Sequence, residues 1–175
     1  MQSIDLEFVN QLNSYANSST IFKYTTIFFA EYLQYILTLL VAYLAFSSQK
    51  WLKVSIIAVI SAVVARWGVK QLLLLFIHRA RPFVINPNIH PLISSPVSEN
   101  YQSFPSGHAV FFFALATVIY SNDKRWGVFF FVSAMLMGIA RVAVGVHYPI
   151  DIIGGILLGV VTAVGALFLS KRYDA

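Results

Sequence analysis

Arg141-Val142-Ala143-Val144-Gly145-Val146-His147-Tyr148-Pro149-Ile150-Asp151 separates two long apolar runs. It sets a guanidinium, an imidazole and a carboxylate at their junction. Five residues lie between Arg141 and His147, and three between His147 and Asp151. A second short stretch, Pro105-Ser106-Gly107-His108, opens another apolar run. Ionisable groups at the ends of apolar segments point to function. The partner that suits cations and imidazoles is an anion. Two histidines, Arg141, the Arg81 of an upstream Arg-Pro pair and one carboxylate make a set able to break a phosphate ester without a metal.

The surroundings of these stretches fix the solvent. The chain has 175 residues, of which 58% are hydrophobic and only 11% charged. An ordinary soluble domain carries about 25% charge. Long charge-poor stretches make the bilayer the expected solvent. No cysteine is present, so no disulfide framework or thiolate site exists. Asp5, Glu7, Asn10 and Asn13 interrupt the first twenty residues, which do not read as a signal peptide. No repeat or linker divides the chain, and one domain over 1–175 is expected.

Residues 1–20 carry Ile4, Leu6, Phe8, Val9, Leu12 and Tyr15 at near-helical spacing. This predicts a short amphipathic helix at the membrane surface. Asn17-Ser18-Ser19 reads as a turn. Five spanning segments are expected over 21–175: 25–46, 54–78, 106–121, 126–143 and 149–170. Pro149 suits the first turn of the last one. Gly154, Gly155, Gly159 and Gly165 offer spacings for close helix packing there. A polar loop rich in Pro, Ser and Asn fills 79–105. The fold class is thus an all-α integral membrane bundle of about five spans plus an interfacial helix.

The cations orient it. Lys50 and Lys53, Lys124 and Arg125, and Lys171 and Arg172 all fall on one face if the spans number five. The positive-inside rule makes that face cytoplasmic. Every motif residue then lies on the outer side.

Ser106 is suited to an N-cap, and Gly107 lets backbone N–H groups approach a ligand. The first turn of a helix is a natural phosphate cradle. His108 would face the same anion. Asp151 could accept one imidazole N–H of His147 and leave the other nitrogen unprotonated toward substrate. Arg81 and Arg141 supply planar forks for phosphate oxygens. The chemistry predicted is in-line phosphoryl transfer. His147 attacks phosphorus, and His108 protonates the leaving oxygen and then activates water.

The three blocks, Arg81-Pro82, Pro105 to His108, and Arg141/His147/Asp151, resemble the signature of the type-2 phosphatidic acid phosphatases, a family of membrane lipid phosphatases. The resemblance covers roughly residues 74–155. It implies a helical bundle, metal-independent hydrolysis with no cofactor, and the same roles for His147, His108 and Asp151. Gly145-Val146-His147-Tyr148-Pro149, Phe76-Ile77-His78, Ser103-Phe104 and Phe28-Phe29-Ala30-Glu31-Tyr32-Leu33 are similar to bacterial undecaprenyl-diphosphate phosphatases. That branch implies an inner-membrane enzyme whose partners are the bilayer and a lipid phosphate, not nucleic acid.

One departure stands out. The family's first block starts with a lysine seven residues before the arginine, where this chain has Leu74. Lys70 lies about 6 Å deeper on the helix, and helical side chains lean toward the N-terminus. That lean is expected to point Lys70 away from the site. His78 or Arg79 is the expected replacement donor. Arg66 and Lys70 are deep cations, and a Glu31–Lys70 ion pair is expected. Ala140 stands where many relatives have serine.

Other readings stay open. His108 alone could be a structural helix-start histidine, and Arg141 a snorkelling cation. Glu99 and Tyr101 could contact substrate or cap turns. His90 reads as loop, and the Phe111–Phe113 and Phe129–Phe131 runs as lipid- and core-facing bulk. The expected substrate is undecaprenyl diphosphate. Alternatives are phosphatidylglycerol phosphate, phosphatidic acid, a lipid A phosphate, or transfer to a second lipid. The non-enzyme rival is an anionic-lipid binding protein or a transporter using Arg66 and Lys70.

Overall fold

The computed structural model describes the backbone of residues 2–173 and the side chains of 5–170. The side chains of Ile4, Lys171 and Arg172, used above, lie outside the described residues. Six long helices lie among the described residues: α1 (Gln2–Asn17), α2 (Thr20–Ser47), α3 (Gln49–Leu74), α4 (Gly107–Asn122), α5 (Lys124–Ala143) and α6 (Pro149–Tyr173), with short helical turns at Pro82–Ile85 and Val97–Glu99 between α3 and α4. No strand occurs among the described residues; one isolated bridge joins Arg79 to Gln102. The protein is an all-α membrane bundle.

Local chemistry sets the helix starts. Ser19, Ser48 and Asp123 cap α2, α3 and α5, their side-chain oxygens accepting N–H groups of the first turn. Pro149 opens α6. Helices α2, α3, α5 and α6 are long and apolar enough to cross a membrane. Helix α4 has 16 residues, about 24 Å at 1.5 Å per residue, less than the ~30 Å of a bilayer core. It is buried nearly all round, through Ala109, Val110, Phe112 to Ala116, Val118 and Ile119. Such a helix belongs at the centre of a bundle, and α3, α5 and α6 surround it. Many apolar side chains of α2, α3 and α6 remain exposed, among them Leu39, Phe46, Ile60, Leu157 and Phe168. These suit lipid contact.

Small residues let α6 reach α4. A Cβ at Gly155 would collide with Ala109 and the Ser106 carbonyl, and one at Gly159 with the Val110 carbonyl. Gly165 has nothing near it, so the expected close-packing run stops before it.

Two widened π-type turns interrupt the spans, at Phe28–Tyr32 in α2 and Val64–Val69 in α3. Such turns occur often at functional sites. Helix α3 also stops at Leu74, four residues before the predicted 78. Beyond it the chain must extend, because Arg79 bonds across to Ser103 and Arg81 to Asn100 through the backbone.

Helix α1 lies across the outer ends of α5 and α6, burying Val9, Asn13 and Ala16. Asn13, read above as a polar interruption, is almost wholly buried. Its amide donates to the carbonyls of His90 and Ala143 and accepts from the His90 N–H, all at 3.0 Å. It clasps the 79–105 loop to the end of α5.

Candidate active site

The site is assembled where α4 begins and α5 ends. Ser106 is the N-cap of α4, but its hydroxyl caps nothing. The Oγ is buried with no hydrogen-bond partner. The Ser106 N–H instead donates to the Asp151 carbonyl, tying the start of α4 to the first turn of α6. Arg141, in the last turn of α5, is buried. One of its Nη atoms lies 3.5 Å from the Ala30 carbonyl in the α2 π-turn, and its Nε is unpartnered. Gly145, at φ 83°, makes the turn between α5 and α6, where L side chains are strained. That turn delivers His147 to the head of α6.

Asp151 is fully buried and organises this corner. Its Oδ2 accepts the Ser103 hydroxyl at 2.5 Å and the Tyr148 N–H at 2.8 Å. Its Oδ1 accepts Arg79 at 2.7 Å. His147 Nδ1 faces Oδ2 at 3.5 Å, an ion-pair distance longer than a hydrogen bond, and finds no other partner. This leaves Nε2 as the nitrogen turned from the carboxylate. Burial pushes the His147 pKa down to about 4, the adjacent Asp151 carboxylate opposing the change while Arg141 and Arg81 reinforce it. The imidazole is therefore neutral at neutral pH, as a nucleophile requires.

Arg81 is buried, and its guanidinium is engaged by Glu99. Nε donates to the Glu99 carbonyl at 3.0 Å and an Nη to its carboxylate at 2.7 Å. Burial lowers the Arg81 pKa and Glu99 opposes the change. His108 Nε2 lies 3.0 Å from Gln34 Oε1 of α2. The charges of Arg141, Arg66, His147 and Lys70 all act on its ring. The two imidazoles thus sit at the same end of the bundle.

Three expectations need correction. His78 is exposed and makes no hydrogen bond or ion pair among the described residues. Arg79 is already held by two carboxylates. It bridges Asp151 and Asp5, at 2.7 and 3.3 Å, and stacks over Tyr148 at 3.9 Å. Lys70 points at the site rather than away: a Cβ at Gly107 would meet its Nζ at 3.2 Å and Arg66 Cζ at 3.4 Å. The reason is depth. The start of α4 lies level with these side chains of α3, so the N-terminal lean of Lys70 carries it toward the cradle. The expected Glu31–Lys70 ion pair is not formed among the described residues.

The sequence pattern of the PAP2 superfamily matches residues 31–173. The chain belongs to the PAP2 superfamily. This is the lipid phosphatase family that its three blocks resemble. It is 35% identical to a protein of Bacillus licheniformis named bacitracin transport permease protein BcrC, over 83% of this chain and 70% of that one. It is 28% identical to the putative undecaprenyl-diphosphatase YbjG of Escherichia coli K12, over 95% of this chain and 82% of that one. The crystal structure of Aquifex aeolicus LpxE superposes with a TM-score of 0.71 at 25% identity, covering 93% of both chains.

In this PAP2 protein further polar and charged residues surround the three blocks. Leu74, at the family's lysine position, is buried. Its place near the helix start is held by Lys70 and Arg66. Gln34, Ser103 and Asn13 escaped sequence reading because each lies in a different segment from the group it serves. The signal available was polarity in an apolar context: Gln34 interrupts α2 much as Arg66 interrupts α3.

Proposed function

We propose that this PAP2 protein hydrolyses undecaprenyl diphosphate to the monophosphate and phosphate, at the outer leaflet, through a phosphohistidine on His147. The observation that carries the reading is the corner of His147 and Asp151 beside a helix start whose Ser106 hydroxyl and Arg141 Nε are buried and unpaired. Unpaired buried polar groups are costly, and a phosphate oxygen satisfies both.

The steps follow from these positions. The terminal phosphoryl group docks on Ser106, the Gly107 N–H, Arg141 and Arg81, with Glu99 yielding part of the Arg81 fork. Neutral His147 Nε2 attacks phosphorus in line. The bond to the bridging oxygen breaks, and His108 delivers its proton to that oxygen as the lipid monophosphate leaves. His108 then takes a proton from water, whose oxygen attacks phosphorus. The P–N bond breaks, its electron pair returns to Nε2, and phosphate departs. The guanidinium groups and helix N–H groups stabilise charge on the equatorial oxygens at each transition state.

The name of the Escherichia coli relative and the cluster of cations, larger than one phosphate needs, favour a diphosphate lipid over a monoester. The test is phosphate release by purified protein in detergent from undecaprenyl diphosphate and a panel of lipid monoesters. Release is expected to be highest for the diphosphate and to fall ~10³-fold or more in His147→Ala. Undiminished release by that variant ends the phosphohistidine reading. Label from a donor appearing in a second lipid, rather than as free phosphate, would make the protein a transferase.

A further inference from the structure

The cations at the start of α4 outnumber what a single phosphate engages. Arg66, Lys70, Arg81 and Arg141 converge there, against the carboxylates of Glu99 and Glu31. Arg81 has its ion pair with Glu99. Arg66 and Lys70 make no hydrogen bond or ion pair among the described residues; Arg66 only overlies the Trp67 ring at 4.8 Å. Two unpaired, half-buried cations against the positive end of a helix repel one another and the helix dipole. An anion placed between them removes that repulsion.

Their position differs from that of Arg81 and Arg141. The start of α4 has two flanks. On one, the Ser106 N–H meets the Asp151 carbonyl, and His147 stands beside it. On the other, Gly107 faces Lys70 and Arg66 of α3. Gly107 has no side chain, which lets the two cations come up against the start of the helix.

An apolar groove begins beneath this second flank. It encloses about 420 Å³ and is lined by Thr38, Val41 and Ala45 of α2, Val59 of α3, and Phe111 and Leu115 of α4, among others. Each wall continues a face that carries a polar residue at the site. Thr38 lies one turn below Gln34. Phe111 lies one turn below Gly107 and His108. Val59 lies two turns below Arg66. Trp67, beside Arg66, meets the groove-lining Phe111 edge-on at 5.9 Å.

We propose that Arg66 and Lys70 form a second phosphate subsite, which holds the tail-side phosphate of a lipid diphosphate while its tail enters the groove between α2, α3 and α4. The other phosphate then lies toward His147 for transfer. This rests on reading the site as a lipid phosphatase and makes the diphosphate its preferred substrate. Lys70 and Arg66 do not touch the reacting phosphorus; they set specificity.

The test is calorimetric titration of the purified chain in detergent with inorganic pyrophosphate and, separately, inorganic phosphate. Wild type is expected to bind pyrophosphate more tightly. Lys70→Met and Arg66→Met are each expected to lose ~10-fold or more in pyrophosphate affinity, with phosphate affinity changed less than about 2-fold. Lys70→Arg is expected to restore the preference. Circular dichroism and elution volume check folding, with Lys70→Gln read instead if Lys70→Met misfolds. Equal loss for both anions, no loss, or equal wild-type affinities overturns the subsite. Phosphate release from undecaprenyl diphosphate is measured in parallel. Wild type that binds pyrophosphate but releases nothing sinks the phosphatase reading alone. Intact release with an unaltered preference in both Met variants sinks the subsite alone.

Discussion

Asp151 takes a serine hydroxyl, a backbone N–H and a guanidinium before it meets His147. Those partners fix the carboxylate, and the carboxylate fixes the ring. In the proposed mechanism Arg79 acts through Asp151, whereas Arg81 touches substrate. Arg79→Gln is expected to lower kcat ~10-fold or more with little change in KM, because orientation is lost while the phosphate donors remain. Arg81→Gln is expected to raise KM as well. Steady-state kinetics on one lipid diphosphate separates the two, and matching KM increases would return Arg79 to the phosphate pocket. His147 also carries a pH signature. Its folded pKa of about 4 lies below the ordinary value of 6.5, so between those values the unfolded chain binds a proton that the folded chain does not. Stability is then highest above pH 6.5 and falls as pH drops toward 4. Thermal melts across that window are expected to show a falling Tm, with a shallower fall in His147→Asn.

At the scale of helices, the site depends on where elements begin rather than on what they contain. Helix α4 starts at Gly107, α3 widens at Val64–Val69, and together they bring Arg66 and Lys70 to Gly107. Helices α2, α3 and α4 form the groove below. Filling it with Ala42→Trp, a position on its α2 wall, is expected to raise KM for undecaprenyl diphosphate ~10-fold while leaving KM for a short-chain prenyl diphosphate within about 2-fold. Equal effects on both lipids would show that the tail travels elsewhere. Close packing of α6 against α4 at Gly155 and Gly159 holds the floor of the site, since Ser106 belongs to the α4 start that Gly155 touches.

At the scale of the molecule, the end that carries the site is covered by two pieces, α1 and the 79–105 loop, joined by Asn13 and by the Asp5–Arg79 ion pair. The other end carries Lys50, Lys53, Lys124 and Arg125 in the opening turns of α3 and α5. The expected orientation, with the site outward, rests on this asymmetry. The chain has no cysteine, so a single engineered thiol reports its side without background. Ser94→Cys, exposed in the loop, is expected to react in intact cells with a maleimide that does not cross membranes. Ser94→Cys labelled only after lysis would place the site on the inner face.

The sequence by itself determined the membrane bundle, its number of apolar segments and the three blocks, because hydropathy, helix length and local spacing are written in consecutive residues. His108, Arg141, His147 and Asp151 were legible for the same reason. The partners of those residues were not. Arg79 looked like a spare phosphate donor until the fold set it against Asp151, and Lys70 looked misdirected until the fold sank the start of α4 to its level. Depth and cross-segment contacts follow from how helices pack around one another, and residues such as Gln34, Ser103 and Asn13, far along the chain from the groups they serve, acquire their roles only there.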